Sequence, residues 1–256
     1  MHLSPVILAS LLSREHIAAR NPQPPANLVA RVPLGTIINH CTVPGVVALT
    51  FDDGPYYHTP HILDLLDSYG AKGTFFVNGE NWSKNIGDES LPWPEILRRM
   101  DASGHQIASH TFSHIDMTKA DTETRYDQII RLESTLARII GKVPTYFRPP
   151  FASCEGQCIV DMEQMGLHIV NFDVDTKDYL HNTPDTAGEA QAIFAAALNK
   201  GNSGDSFLVL THDVQEMTAT TLLPFMLNMI REKGLRAVTV GECMGDSPAN
   251  WYKGAA

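Results

Sequence analysis

Asp52 and Asp53 are adjacent carboxylates at the end of an apolar run, and Gly54-Pro55 turns the chain immediately after them. Neighbouring aspartates repel each other at a strand end unless a cation or an arginine offsets their charge. His110 and His114, in His110-Thr111-Phe112-Ser113-His114, are spaced i, i+4. That spacing predicts two imidazoles on one face of a helical turn, close enough to share one ion. Two histidines and a carboxylate make a facial set with positions left open for water and substrate, as catalytic zinc requires. Arg148 precedes Pro149-Pro150-Phe151; the prolines fix the backbone, and the guanidinium can present a fork to a carboxylate. Asp173, Asp175 and Asp178 fall within six residues, more acid than one helix cap explains. His212 closes Leu210-Thr211-His212. Each group alone has a plainer reading as a turn, cap or surface residue.

Their placement along the chain argues otherwise. Strands are expected at Val46–Phe51, Gly73–Val77, Gln106–Ser109, Thr145–Arg148, His168–Asp173, Phe207–Thr211 and Ala237–Val240. Helices are expected between them at Pro60–Tyr69, Trp93–Ala102, Thr122–Ile140, Glu155–Met165, Thr186–Lys200 and Thr218–Glu232. Ile129, Ile130, Leu132, Leu136, Ile139 and Ile140 recur at helical spacing in the third. The alternation predicts an α/β fold, a distorted, incomplete (β/α) barrel with about seven parallel strands. Asp52, Asp53, His110, His114, Arg148, Asp175 and His212 all fall just past a strand's C-terminal end. In barrel folds that face carries the active site.

The chain has 256 residues with 43% hydrophobic content, enough for one barrel-sized core. No internal repeat or linker interrupts 45–245. A net charge of −10 argues against nucleic acid or an anionic membrane as partner and favours an uncharged substrate. No run approaches the ~18 apolar residues of a membrane span. Leu3 to Leu12 resembles a short signal-peptide core followed by the small residues Ala18-Ala19, although Pro5 interrupts it; a plain leader is the other reading. Residues 1–35 are thus expected to be leader, possible signal peptide and Pro-rich arm, with a catalytic domain over 36–252. The four cysteines are Cys41, Cys154, Cys158 and Cys243. Cys154 and Cys158 suggest half of a structural zinc site, but no second close pair completes it. Two disulfides, Cys41–Cys243 and Cys154–Cys158, are the preferred reading and imply an oxidising compartment. The long loop closed by the first contributes on the order of 4–5 kcal/mol in chain-entropy terms. Asn81-Trp82-Ser83 is a glycosylation sequon if the chain is secreted.

Five ordered segments, at 50–55, 110–114, 148–151, 175–179 and 210–212, resemble the polysaccharide deacetylase (NodB-like, carbohydrate esterase) family pattern T-F-D-D-G-P, H-[ST]-x-x-H, R-x-P-[YF], D-x-x-D-W and L-x-H. The resemblance spans about Val43 to Cys243, with one departure: Tyr179 stands where the family has Trp. Cysteine placement and the tail Asn250-Trp251-Tyr252 are most similar to secreted fungal chitin deacetylases.

The resemblance implies a metal-dependent hydrolase that removes N-acetyl groups from β-1,4-linked N-acetylglucosamine, in chitin or its oligomers. Asp53, His110 and His114 would bind a divalent metal, zinc by expectation with cobalt as alternative. Asp52 would be the general base, because a metal-bound carboxylate is a poor one. Phe151 would offer a backbone N–H to the oxyanion, and His212 would protonate the leaving amine. Asp175 would hold His212, Arg148 would hold Asp52, and Thr111 would fix the histidine loop. Leu210 would line the acetyl pocket, and Tyr179 would form an aromatic wall. An acetylxylan or peptidoglycan deacetylase is the alternative of the same chemistry. A weakly catalytic carbohydrate-binding protein is the alternative from another class. The protein is expected to be secreted or cell-wall associated, and a monomer.

Overall fold

The computed structural model describes residues 32–202 and 204–254. The leader and possible signal peptide, with the arm as far as residue 31, lie outside them. The first half of the described chain runs β1 Ile37–Ile38, β2 Val46–Asp52, α1 Thr59–Ser68, β3 Thr74–Val77, α2 Trp93–Ala102, β4 Gln106–Ser109 and α3 Thr122–Ile140. It continues with β5 Lys142–Pro144, β6 Tyr146–Phe147, α4 Gln157–Gln164, β7 His168–Val170, β8 Val174–Asp175 and α5 Ala187–Lys200. The last elements are β9 Phe207–His212, α6 Leu223–Glu232, β10 Arg236–Val238, α7 Val240–Cys243 and β11 Tyr252–Gly254.

Among the described residues nine strands form one sheet in which every pairing is parallel: eight run in the order β1-β7-β6-β4-β3-β2-β9-β8, and β10 pairs with β2 off that path. β9 follows one edge of β2 from Val47 to Asp52. The other edge is shared, with β10 along Val46–Ala48 and β3 along Thr50–Asp52. The path ends at β1 and β8, so among the described residues the barrel stays open, as expected. Residues 171–173 span the opening: the Asn171 N–H donates to Ile38 O at 2.7 Å and the Asp173 N–H to Leu208 O at 3.0 Å. β5 and β11 form a separate antiparallel pair.

β2 sits at the centre because all seven of its residues are buried, the pattern of a parallel strand covered on both faces. The two-residue alternation then sorts its side chains. Val47, Leu49 and Phe51 pack against helices, while Val46 and Ala48 join Phe76, Ala108, Tyr146, Val170, Leu208 and Val238 inside the barrel. Asp52 shares the parity of the inner set. So do His110 after Ala108, Arg148 after Tyr146, and His212 after Leu208. The chemistry-bearing residues thus continue the inner face of four strands beyond its apolar floor.

The seven expected strands are all present, with informative differences. β1 and β8 are two residues long and carry no readable period. The expected strand 168–173 breaks at Val170, and β8 resumes on the other side of the opening. Val240 begins a helix instead of ending a strand, because the Thr239 hydroxyl caps it by accepting from the Glu242 N–H at 3.2 Å. The expected helix 218–232 is a π-helical turn over Thr218–Leu222 followed by α6. Pro224 lacks the N–H that would carry a regular ladder through that point. α3 is as expected: Asp121 accepts from the Thr124 N–H at 2.8 Å at its start, and Gly141 (φ 69) ends it in the left-handed region. Both disulfides form as expected, Cys41–Cys243 and Cys154–Cys158.

Candidate active site and metal centre

Asp53, His110 and His114 converge, with one ligand atom from each lying within 4.8 Å of the others. Asp53 Oδ1 is 3.2 Å from His114 Nε2 and 3.6 Å from His110 Nε2. The two histidines do not share a helical turn. Thr111 (φ 69) and His114 (φ 53) are both left-handed, so a looped segment brings the imidazoles to 5.0 Å between ring centres. The sequence spacing is right and the expected local structure is wrong: the segment bends to face the sheet end where a helix would have carried the chain past it. Thr111 Oγ1 accepts from the His114 N–H at 3.0 Å and closes the bend.

The donor set suits a divalent metal by its own chemistry. His110 Nδ1 lies 2.7 Å from the Arg148 carbonyl oxygen. A carbonyl only accepts, so Nδ1 carries the hydrogen and Nε2 keeps its lone pair toward Asp53. Burial holds the His110 pKa down at about 3, and the neutral imidazole is the ligating form. Asp53 is itself left-handed (φ 78), a conformation Asp tolerates better than most residues. Beneath the turn, a Cβ on Gly54 would lie 2.1 Å from Asp213 Oδ2, so only glycine fits. Asp213 is fully buried and accepts from the Thr59 hydroxyl at 2.5 Å. Burial, opposed by that hydrogen bond and reinforced by the charge of Asp53, pushes its pKa up to about 7.

Asp52 is held by Arg148, whose Nη1 donates to Asp52 Oδ1 at 2.8 Å and to Thr50 Oγ1 at 2.6 Å. The other nitrogens donate to Val170 O at 3.3 Å and Asn171 O at 2.7 Å, and the guanidinium lies over the Phe76 ring. Arg148 thereby joins β2 to the end of β7 and to the 171–173 segment that spans the opening. Burial raises the Asp52 pKa above its ordinary value while the Arg148 charge and hydrogen bond draw it back. A carboxylate so placed is more basic than one in water.

His212 pairs with Asp178, not with Asp175. His212 Nδ1 is 2.8 Å from Asp178 Oδ1, and its N–H donates to Asp178 Oδ2 at 2.7 Å; the Thr218 hydroxyl donates to the same oxygen at 2.6 Å. Asp175 is occupied locally, its oxygens accepting from the Lys177 N–H at 2.9 Å and the Tyr179 hydroxyl at 3.2 Å. Left-handed Lys177 (φ 54) reverses the chain between the two acids and turns the later one inward. Burial lowers the His212 pKa, but Asp178, with smaller contributions from Asp52 and Asp53, outweighs it and raises it to about 9.

Asp52, Asp53, His110, His114, Arg148 and His212 line a cleft of about 760 Å³ together with Trp82, Phe151, Phe172, Asp175, Tyr179 and Leu210. Phe151 (φ 58) is 70% exposed and meets His114 edge to face, 4.8 Å between centroids. Tyr179 meets His212 in the same way at 5.3 Å. Read from sequence, Asp178 has no role of its own among the acids of 173–178, Asn81 and Trp82 are only parts of a sequon, and Asn78 is unmarked, yet all four form the site. Asn78 directly follows β3, so the strand-end rule that selected the charged residues would have found it too.

Residues 39–170 match the polysaccharide deacetylase family. The chain is 44% identical over 223 residues to the chitin deacetylase of Colletotrichum lindemuthianum, covering 87% of this chain and 89% of that protein. It is 44% identical over 247 residues to a Pestalotiopsis chitin deacetylase, covering 96% and 80%. The solved Colletotrichum structure superposes with a TM-score of 0.85 over 88% of this chain and 98% of that one. Peptidoglycan deacetylase PdaC from Bacillus subtilis superposes at 0.64 with 27% identity, over 78% and 90%. With its ordered motifs gathered at one sheet end and its relatives matched almost end to end, this chain belongs to the polysaccharide deacetylase family.

Proposed function

We propose that the protein removes N-acetyl groups from β-1,4-linked N-acetylglucosamine, with chitin or its oligomers as substrate and acetate as co-product. The observation that carries this reading is the pair of differently tuned groups beside one ligand set: Asp52, held by Arg148, and His212, held by Asp178. The two relatives at 44% identity, both named chitin deacetylases, support the choice of substrate.

Asp53, His110 and His114 would hold the metal; two imidazoles and a carboxylate suit zinc, with cobalt as the alternative. When bound, it supplies an activated water and a polarised acetyl carbonyl. Asp52 takes the proton from the attacking water, and Arg148 keeps that carboxylate ionised and aimed. The Phe151 backbone N–H, presented by its left-handed turn, stabilises the oxyanion. His212, charged at neutral pH through Asp178, delivers its proton to the departing amine nitrogen. Leu210 receives the acetyl methyl group, and Tyr179 stacks on a sugar face. All these residues come from one chain, so the site of a catalytic domain over 36–252 needs no residue from a second subunit. The disulfides support an extracellular or cell-wall location. Among the described residues no helix is long and apolar enough to cross a membrane.

The test is acetate release from defined chitooligomers, acetylxylan and peptidoglycan by the metal-loaded enzyme. Release from chitooligomers that chelation abolishes and zinc restores is expected. Turnover by metal-free enzyme, or none on any N-acetylated glycan, would overturn the reading.

A further inference from the structure

The sequon at Asn81 sits at the metal centre. Asn81 Nδ2 donates to Asp53 Oδ1 at 3.2 Å, the same oxygen that faces both histidines, and to Asn78 Oδ1 at 3.1 Å. Asn78 is fully buried, and its own Nδ2 donates to His110 O at 2.5 Å and Thr111 O at 3.0 Å. Its backbone N–H donates to Gly54 O at 3.1 Å. The two amides therefore link the Asp53-Gly54 turn to the histidine loop, with every ligand strand-end tied to the loop after β3. Glu80 reinforces the link, its N–H donating to Phe112 O.

We propose that Asn78 and Asn81 are the positioning residues of the ligand set, and that this use of Asn81 excludes N-glycosylation at Asn81-Trp82-Ser83 in the active enzyme. The proposal rests on the metal reading of Asp53, His110 and His114. Hydrogen bonds from outside a ligand set fix the orientation of its members and raise their affinity. An asparagine amide has two hydrogens on nitrogen, and here both are committed. Glycosylation would replace one N–H by a bond to the anomeric carbon of a diphosphate-linked oligosaccharide, with the diphosphate leaving and the proton lost. One hydrogen would then remain for two acceptors. The sugar would also emerge beside Trp82, which lines the cleft. Ser83 is not needed for the bracket: its hydroxyl is buried and makes no hydrogen bond.

The experiment measures zinc affinity by competition with a chromogenic chelator, and the melting temperature of metal-free protein, for the parent, Asn81→Ala, Ser83→Ala and His110→Ala from a non-glycosylating host. Asn81→Ala is expected to weaken zinc binding about 10–100-fold, the usual effect of losing such a partner, while its metal-free melting temperature matches the parent. Ser83→Ala is expected to bind zinc as the parent does. Zinc binding by Asn81→Ala within about twofold of the parent, with His110→Ala having lost it, would overturn the bracket alone. Retention of zinc by His110→Ala would overturn the metal reading and the bracket with it. Independently, protein secreted from a glycosylating host is mapped by peptide mass spectrometry. The zinc-binding fraction is expected to carry Asn81 unmodified, and a glycan at Asn81 on protein that binds zinc at parental affinity would overturn the exclusion.

Discussion

Asp52 and His212 are register partners at the C-terminal end of the parallel ladder between β2 and β9. Paired residues on adjacent strands lie about 5 Å apart along the hydrogen-bonding direction and project to the same face. The proton acceptor and proton donor of the proposed reaction are therefore set by sheet register rather than by loops. Their partners come from elsewhere: Arg148 follows β6, and Asp178 begins the turn after β8. Separate partners tune the two, Arg148 on Asp52 and Asp178 on His212, which lets neighbours on one ladder do opposite work.

The two adjacent aspartates should separate cleanly by mutation. Asp52→Asn keeps an oxygen for Arg148, so the variant should fold and bind metal while losing about 10²–10⁴-fold in turnover, the usual worth of a general base. Asp53→Asn should instead weaken metal binding. Metal titration with acetate-release kinetics checks both. Equal loss of metal from the two variants would refute the division between them.

Asp178 should control the alkaline limb of the pH–rate profile. His212 works as an acid only while protonated, and its pKa is raised to about 9, so activity should fall as pH rises through that value. Asp178→Asn removes the raising charge and should move the limb toward neutrality; Asp175→Asn should leave it in place. The same shift has a stability consequence. The folded pKa lies above the ordinary 6.5, so the contribution is complete below 6.5 and is lost as pH rises through about 9. Rate profiles and melting curves from pH 6 to 10 test both statements.

The two disulfides should differ in worth. Cys41–Cys243 spans 202 residues and Cys154–Cys158 only 4. Chain entropy assigns about 5 kcal/mol to the first and about 2 kcal/mol to the second. The short one has a further effect, because its loop is tied to the segment after His114: Ser153 Oγ donates to Asp116 Oδ1 at 2.7 Å, and the Glu155 N–H to Thr118 Oγ1 at 3.1 Å. Paired Cys→Ser variants under denaturant titration should show the larger stability loss for Cys41/Cys243 and the larger loss of metal affinity for Cys154/Cys158. The reverse ordering of either would contradict this account.

The strand ends were legible in the sequence because buried parallel strands read as apolar runs, and polar residues just past them stand out. Asp52, Asp53, His110, Arg148 and His212 are all of that kind. What stayed hidden depends on backbone reversals that residue type does not announce. Asp175 and Asp178 are equivalent on paper; left-handed Lys177 decides between them. His110 and His114 have helical spacing, yet Thr111 and His114 are left-handed. β1 and β8 are two residues each, and Pro224 splits a helix whose apolar period runs on unbroken. Asn78 and Asn81 carry no charge, and their role lies in which carbonyls and carboxylates the fold brings within reach of their amides.

The choice between amide and ester substrates turns on the leaving group. An amine leaves poorly unless protonated, whereas an alkoxide depends less on an acid. His212 is charged at neutral pH, held through Nδ1 by Asp178, and flanked by the Tyr179 ring. That arrangement is suited to delivering a proton to nitrogen. His212→Ala should therefore lose about 10²–10⁴-fold on N-acetylglucosamine oligomers and markedly less on an acetyl ester assayed in parallel at the same pH. The ratio of the two losses is the informative quantity, because general damage to the cleft or the metal centre would depress both alike. Equal losses would remove His212 from the role of acid. Acetate release by the parent from acetylxylan, with none from chitooligomers, would make the protein an esterase.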